Sequence, residues 1–157
     1  MSDITCVCPK IVPGKKAIYQ GAFVDDVITE TKVSEFEKLA GKNLNIGLKF
    51  MAMATGLDFP TEEAAVMAQR GGAIFIKIEP WSWKGKDDKS FSLEDIIAGK
   101  HDALLKKFAK EAKKFGKPIF VSFGHEMNVP SDKPFRWYPW QGDPELYKKA
   151  WQHVHMV

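Results

Sequence analysis

The sequence lacks the features that mark several large classes of protein. Its net charge is only +3, which is too small to indicate a nucleic-acid-binding surface. Five lysines between positions 106 and 114 recur at helical spacing with no aromatic residue on the same helix face, so they are interpreted as the solvated face of a helix. No apolar run approaches the roughly 20 residues that a membrane-spanning helix needs. The sequence therefore predicts a globular domain whose partners include neither nucleic acid nor a membrane.

Cysteine is also scarce, and its two residues, Cys6 and Cys8, lie one position apart. Alternate positions of an extended strand are about 6–7 Å apart, which makes a disulfide between them unfavourable. Two soft ligands without a second pair do not make a zinc site either. The cysteines therefore indicate little about the redox compartment.

Targeting and cofactor motifs are missing as well. No apolar segment of the signal-peptide type opens the chain, which leaves open a cytoplasmic protein or a mature or trimmed form of an exported one. His125 and Glu126 are followed by Val129 where the HExxH pattern of a zinc site needs its second histidine. The first strand-to-helix turn, residues 21–25, reads GAFVD rather than GxGxxG. Neither a metal nor an organic cofactor is predicted.

The sequence does contain a regular alternation of apolar strands and amphipathic helices. The predicted strands cover residues 17–23, 44–54, 73–78 and 118–123. The predicted helices begin near Ser34, Thr61, Ser92, His101 and Asp143. Near-continuous apolar strands are typical of a parallel sheet that is covered on both faces.

Right-handed connections between parallel strands leave two architectures, an open doubly wound sheet or part of a (β/α)8 barrel. The absence of a glycine-rich first turn favours the barrel, and a whole barrel typically needs about 250 residues. We therefore expect residues 1–157 to form an α/β fold of about four parallel (β/α) units, the N-terminal half of a TIM barrel.

Polar and aromatic side chains collect where the third and fourth predicted strands end. Residues 79–81 (EPW) follow the third strand and residues 125–128 (HEMN) follow the fourth. Functional groups of barrels lie at these strand ends. Indole faces stack on the apolar faces of sugar rings, while carboxylate, imidazole and amide groups bind sugar hydroxyls, so this composition favours a polysaccharide ligand. Asp25 and Asp26, after the first strand, are more simply explained as loop caps than as substrate ligands.

Three segments and their order carry a more specific signal. They are residues 118–128 (PIFVSFGHEMN), residues 137–140 (WYPW) and residues 144–154 (PELYKKAWQHV). Together with residues 79–81 and 97–102 they resemble glycoside hydrolase family 26, which holds endo-β-1,4-mannanases and lichenase-type β-glucanases. The resemblance covers most of the chain.

The resemblance implies that Glu126 is the general acid/base of a retaining glycosidase. A general acid must carry a proton near neutral pH, and apolar neighbours such as Phe123 and Met127 are expected to favour that state. A retaining mechanism also needs a second carboxylate about 5–5.5 Å away as the nucleophile. In the family this carboxylate lies on the seventh strand, which is expected beyond Val157.

The resemblance also implies substrate-binding roles around Glu126. The implied residues are His125, Asn128, Glu79, Trp81, Trp137, Tyr138 and Trp140. The implied ligand is a β-linked polysaccharide or oligosaccharide, either β-1,4-mannan or mixed β-glucan, and the implied location is extracellular.

The chain departs from the family pattern at two places. Ser122 stands where the family usually has an arginine, and this changes the charge expected near Glu126. Residues 129–136 intervene where the family usually has a glycine directly after HEMN, and this changes the loop near the cleaved bond.

Two alternatives stay open beside an enzyme. One is a carbohydrate-binding half-barrel without hydrolytic activity. The other is a homodimer through the open barrel edges, because a half-barrel exposes the edges of its first and fourth strands. Two-fold symmetry would place the second copy of Glu126 too far away for nucleophile spacing, so little retaining activity is expected even in that dimer.

Overall fold

The computed structural model describes residue 13, residues 17–130 and residues 136–157. Cys6 and Cys8 lie outside the described residues, as does most of the segment 129–136 that departs from the family pattern. Within the described part of the chain, no helix combines the length and apolar character that crossing a bilayer requires.

Four parallel strands form one sheet in the order β1-β2-β3-β4. The strands are β1 (Gly21–Ala22), β2 (Ile46–Ala52), β3 (Ala73–Glu79) and β4 (Phe120–Phe123). The helices are α1 (Glu30–Ala40), α2 (Thr61–Gln69), α3 (Leu93–Ile97), α4 (Asp102–Phe115) and α5 (Pro144–Met156), with a 3-10 turn at Met53–Thr55. This order confirms the predicted α/β class and is consistent with a half-barrel of four (β/α) units.

One face of the sheet is packed against the helices and forms the core. Ile74, Ile76 and Ile78 alternate along β3 and are at most 2% exposed. A Cβ atom at Gly47 of β2 would lie 2.9 Å from Met67 Sδ of α2, so the helix approaches this strand closely. The alternation therefore assigns one set of β3 side chains to the helix-covered core.

The opposite face of the sheet is open among the described residues. Phe50 and Phe120 remain 38% and 36% exposed on it. Lys77 Nζ lies 5.3 Å from the ring centroid of Phe50 and 5.9 Å from that of Phe75. The continuous apolar strands predict a sheet that is covered on both faces. In the described residues only one face is covered. An open inner face is what half a barrel presents, and pairing with a second copy stays a prediction.

Helix α1 begins earlier than predicted, at Glu30 rather than near Ser34. Thr29 is its N-cap and accepts a hydrogen bond from Lys32 N at 3.3 Å. Ile28 and Val33 flank this cap at the positions of a hydrophobic staple and are both buried. Ser34 instead accepts a hydrogen bond from Arg70 Nη2 at 2.7 Å. Burial of the staple therefore selects Thr29 over Ser34 as the cap.

The other predicted boundaries agree more closely with the structure. Ser92 and Asp143 cap α3 and α5 through side-chain hydrogen bonds, as predicted. Thr61 is the first residue of α2 rather than its cap, because Pro60 occupies the capping position. Strand β1 is shorter than predicted, since Gln20 bonds to the Asn45 side chain through its N–H and to Asn45 N through its carbonyl.

The C-terminal ends of β2, β3 and β4 lie side by side, and the candidate site is located there. Ala52, the last residue of β2, is paired with Glu79, the last residue of β3. Phe123 pairs with Ile78, and Gly124 N donates a hydrogen bond to Ile78 O at 2.9 Å. The residues that follow β4 are thereby held beside Glu79.

Candidate functional site

The turn after β4 has an unusual backbone. Gly124 has a φ of +55°, and a Cβ atom there would lie 3.0 Å from Tyr147 Cε2 and 3.1 Å from Trp140 Cδ1. Glycine is therefore required both by its dihedral angle and by its neighbours. Glu126 has a φ of +53°, a left-handed conformation that is uncommon for residues other than glycine. Such strain persists where surrounding contacts impose it, and it is concentrated at functional sites.

Three side chains hold the carbonyl groups of this turn. Tyr147 Oη donates to Phe123 O at 2.5 Å. Trp140 Nε1 donates to His125 O at 2.7 Å, and Gln141 Nε2 donates to Glu126 O at 2.8 Å. The loop that precedes α5, together with α5 itself, therefore fixes the conformation of the turn.

Gln141 belongs to the candidate site by its contacts, although the sequence did not predict it. It is 4% exposed, and its Oε1 accepts hydrogen bonds from Trp137 N at 2.8 Å and Tyr138 N at 3.1 Å. It therefore links the aromatic loop, residues 137–140, to the turn that carries Glu126. A glutamine in a loop shows no periodicity, so the only available signal was its position directly after WYPW.

His125 lies beside Glu79, the carboxylate at the end of β3. Its Nδ1 is 3.7 Å from Glu79 Oε1, and both side chains are 9% exposed. Burial raises the pKa of the Glu79 carboxyl, although the nearby Trp81 N–H and the positive charge of Lys77 oppose the increase. The Trp81 N–H exerts this influence without reaching the geometry of a full hydrogen bond.

The environment of His125 also disfavours its charged form. Burial lowers the pKa of the imidazole, the negative charge of Glu126 opposes the decrease, and Lys77 adds to it. The geometry therefore brings together a histidine and a carboxylic acid that both gain stability in their neutral forms. Perturbed groups of this kind, at the strand ends of an α/β fold, are candidates for functional roles.

Lys77 is relevant to the first departure from the family pattern, which is Ser122 in the place of the usual arginine. Lys77 and Ser122 are register partners on β3 and β4. Ser122 carries no charge, and its buried hydroxyl makes no hydrogen bond within the described residues. A positive charge is nevertheless present on this face of the sheet, one strand away, and it affects the pKa values of both Glu79 and His125.

The aromatic residues predicted to bind sugar fall into two groups. Trp137 is 61% exposed, whereas Trp140 is 1% exposed. The Trp140 ring is stacked on Tyr138, with centroids 4.5 Å apart and an interplanar angle of 7°. Trp81 approaches this pair edge-on, at 5.1 Å from Tyr138 and 5.8 Å from Trp140. The prediction of Trp140 as a sugar-contacting residue is therefore corrected, because a buried indole supports the loop but has no free face.

Glu126 itself is exposed, together with Met127 and Asn128. The expected apolar neighbour Phe123 is 1% exposed and stacks on Trp151 at 6.0 Å, on the helix-covered side of the sheet. Phe123 therefore does not surround the Glu126 carboxylate, and that expectation was wrong. Trp151 packs against the core cluster as a half-buried residue.

A pocket of about 410 Å³ lies at the ends of β2 and β3. Its lining includes Phe50, Thr55, Glu79, Trp83 and Asp26. Asp26 thus faces a cavity, whereas Asp25 is paired with Lys32. Of the described residues, no group of three histidine, cysteine, aspartate or glutamate side chains is arranged to hold a metal ion.

Asp88 fixes the loop that carries Trp83, whose side chain is 57% exposed. It accepts hydrogen bonds from Ser82 N at 2.6 Å, Ser82 Oγ at 2.7 Å and Ser90 N at 2.9 Å. Burial acts to raise the pKa of Asp88, but these hydrogen bonds outweigh burial and hold its pKa far below the ordinary range. The loop is therefore anchored by a buried carboxylate that stays ionised at neutral pH.

The raised pKa of Glu79 has a consequence for the pH dependence of stability. Between the ordinary value of 4.5 and the higher pKa in the folded state, the folded chain binds more protons than the unfolded chain. The free energy of unfolding therefore falls as the pH rises through that window. Glu79→Gln removes this dependence, so we expect it to raise the urea midpoint at pH 7 more than at pH 4. Glu35→Gln, an exposed change on α1, is the matched control, and equal midpoint changes at both pH values for Glu79→Gln would contradict the prediction.

No family model matches the chain. It is 28% identical over 141 residues to Endoglucanase H of Acetivibrio thermocellus, an alignment that covers 85% of this chain and 14% of that protein. The chain thus spans a small part of the relative's length. By sequence, the chain is similar to part of a glycoside hydrolase.

Proposed function

We propose that this chain contributes the acid/base half of a glycoside hydrolase site for β-linked polysaccharides. The observation that carries the proposal is the left-handed Glu126, whose carbonyl is held by Gln141 in a turn placed beside the buried His125–Glu79 pair. The similarity to Endoglucanase H supports the same class of reaction. Family 26 is the finer assignment within that proposal, on the motifs that end in HEMN and WYPW.

In the proposed reaction, Glu126 donates a proton to the glycosidic oxygen of the leaving sugar. A second carboxylate attacks the anomeric carbon and forms a covalent glycosyl intermediate. Glu126 then removes a proton from the water that hydrolyses this intermediate. We assign the nucleophile to a strand other than the four described, and residues 1–157 to the N-terminal half of the barrel domain.

The exposure of Glu126 fits this division of the site. A general acid of this class acts in surroundings from which water is excluded. Bound sugar and the opposite half of a barrel would both exclude water from the strand ends. Glu126 would therefore be enclosed only in the completed, occupied site.

The substrate is proposed to be a β-glucan or a β-1,4-mannan. Trp137 offers an exposed indole face for a sugar ring, while Trp81, Tyr138, Glu79 and Asn128 provide the surrounding aromatic and polar groups. The name of the relative favours glucan between the two polymers. Action on such polymers also favours an extracellular location.

Hydrolysis and binding assays on the full chain test this proposal. The chain and Glu126→Gln are each mixed with mixed-linkage β-glucan and with mannan, and reducing ends and tryptophan fluorescence are measured. We expect both proteins to bind at least one polymer, because the substitution preserves the shape of the side chain. We expect the chain to release reducing ends far more slowly than a complete retaining enzyme, and Glu126→Gln to release none.

Glu145→Gln, which removes an exposed carboxylate from α5, is the matched control. A folded chain that binds neither polymer would contradict the proposed substrate class. Hydrolysis that is unaffected by Glu126→Gln would contradict the role of Glu126, and hydrolysis at the rate of a complete enzyme would contradict the assignment of the nucleophile to another strand.

A carbohydrate-binding half-barrel without hydrolysis is the second candidate. The solvent-exposed carboxylate of Glu126 favours it, since nothing among the described residues desolvates that group. This alternative would be supported if the chain binds a β-linked polymer and any release of reducing ends is the same in Glu126→Gln.

A further inference from the structure

The two ends of the Gln141 side chain have different partners. Oε1 accepts from the backbone N–H groups of Trp137 and Tyr138, and Nε2 donates to the carbonyl of Glu126. Backbone N–H groups can only donate and a carbonyl can only accept, so these partners determine which end of the amide is oxygen. The amide is a planar, rigid group, so both ends move together.

The Gln141 amide directly links the backbone of Trp137, which carries the exposed indole, to the backbone of Glu126. Trp140 also joins the aromatic loop to the turn, but it does so at His125 O and is itself buried. Gln141 bonds to the backbone of Trp137, the exposed member of the loop, and to Glu126. The loop also contacts the turn where the Tyr138 ring lies 4.7 Å from that of His125, but the hydrogen-bonded path from Trp137 to Glu126 itself runs through the Gln141 side chain.

The receiving end of this link can respond to such a displacement. Glu126 has a left-handed backbone, and strain of this kind persists only while its surroundings impose it. Its carboxylate is exposed, so its direction is set by the backbone of the turn more than by packing. A small movement of the carbonyl group of Glu126 consequently reorients its side chain.

We propose that Gln141 is a positioning residue that couples the binding of a sugar ring on Trp137 to the orientation of Glu126. This inference rests on the proposed function, because it assumes that a β-linked sugar occupies Trp137. It adds to that function a specific claim: the Gln141 side chain transmits the presence of a sugar ring from Trp137 to Glu126. Glu126 is then oriented for its role only when a sugar ring is bound on Trp137.

Nuclear magnetic resonance of the full chain tests the coupling without requiring catalysis. The probe is a mixed-linkage β-glucan tetrasaccharide, added to the native chain and to Gln141→Met, which has a similar length but no amide. In the native chain we expect the backbone signals of Trp137 and Met127 to shift together during the titration. In Gln141→Met we expect the Trp137 signal to shift and the Met127 response to be lost. Gln152→Met, an exposed change on α5, is expected to behave as the native chain.

A second variant separates coupling from loss of packing. Gln141→Glu keeps the acceptor oxygen for Trp137 and Tyr138 but can donate to Glu126 O only when its carboxyl is protonated. We expect the Met127 response to be absent at neutral pH and to return at acid pH. A Met127 response that persists in Gln141→Met, or that does not return in Gln141→Glu at acid pH, would overturn the coupling.

The outcome for the native chain distinguishes this inference from the proposed function. If the tetrasaccharide and an equivalent mannan oligosaccharide both leave Trp137 unshifted, the proposed function fails. If Trp137 shifts while Met127 of the native chain does not, sugar binding stands and the role of Gln141 is overturned.

Discussion

Trp140→Ala is expected to lower the free energy of unfolding by about 3–5 kcal/mol, the range measured when large buried aromatic residues are truncated. Trp140 is 1% exposed, and its ring is stacked on Tyr138 and contacted edge-on by Trp81 and His125. The substitution also removes the donor to His125 O, which leaves a carbonyl of the strained turn without that partner. The loss should appear as a lower urea midpoint with a slope close to that of the native chain.

Trp137→Ala is the matched control, because it removes the same side chain from the same loop. Trp137 is 61% exposed, so we expect its truncation to change stability by less than about 0.5 kcal/mol. The two substitutions should affect sugar binding for different reasons. Trp137→Ala should weaken binding while the fold is unchanged, whereas Trp140→Ala should weaken it only in proportion to the unfolding of the loop. Equal stability losses in the two variants would contradict the division of the aromatic residues into an exposed platform and a buried support.

Gly72→Ala is expected to destabilise the sheet by about 2–4 kcal/mol, at the upper end of the cost of inserting atoms into a packed region. A Cβ atom at Gly72 would lie 2.3 Å from Asn45 O and 3.0 Å from the carbonyl carbon of the same residue. These are backbone atoms and cannot move aside as a flexible side chain would. Asn45 O also accepts the hydrogen bond from Ala73 N that opens β3, so relief of the clash must separate β2 from β3.

Gly21→Ala provides the comparison at the same end of the sheet. Its Cβ atom would meet Ile46 atoms at 3.4 Å or more, which is close to ordinary contact. We expect a much smaller change in the urea midpoint and no change in the yield of soluble protein. A Gly72→Ala chain as stable as Gly21→Ala would mean that β2 and β3 are not held at the distance described.

The parallel sheet could be predicted because its strands are apolar runs separated by recognisable caps. The starts of α3 and α5 were predicted near Ser92 and Asp143, and both residues make capping hydrogen bonds there. The start of α1 was misplaced because Thr29 and Ser34 are both competent caps. Burial of Ile28 and Val33 decides between them, and burial is a property of the folded chain.

The site was predicted less completely than the fold, for a related reason. Trp137 and Trp140 are three residues apart in one loop, and a loop has no periodicity from which to infer which indole is buried. Gln141 has no pattern at all, and its role depends on contacts that the fold creates. Glu126 was identified by a motif, but a motif does not report solvent exposure. Candidate residues could thus be proposed from their type and motif, whereas residues whose roles depend on their surroundings could not.

The left-handed backbone of Glu126 gives this position an evolutionary meaning. At a φ of +53°, glycine or asparagine would be favoured by stability alone. A glutamate there therefore costs folding stability that glycine or asparagine would not cost. Lineages that have lost the proposed activity would be expected to lose the glutamate before they lose the buried side chains around it. The residue at position 126 in related chains would therefore test the proposed role of Glu126 without any assay.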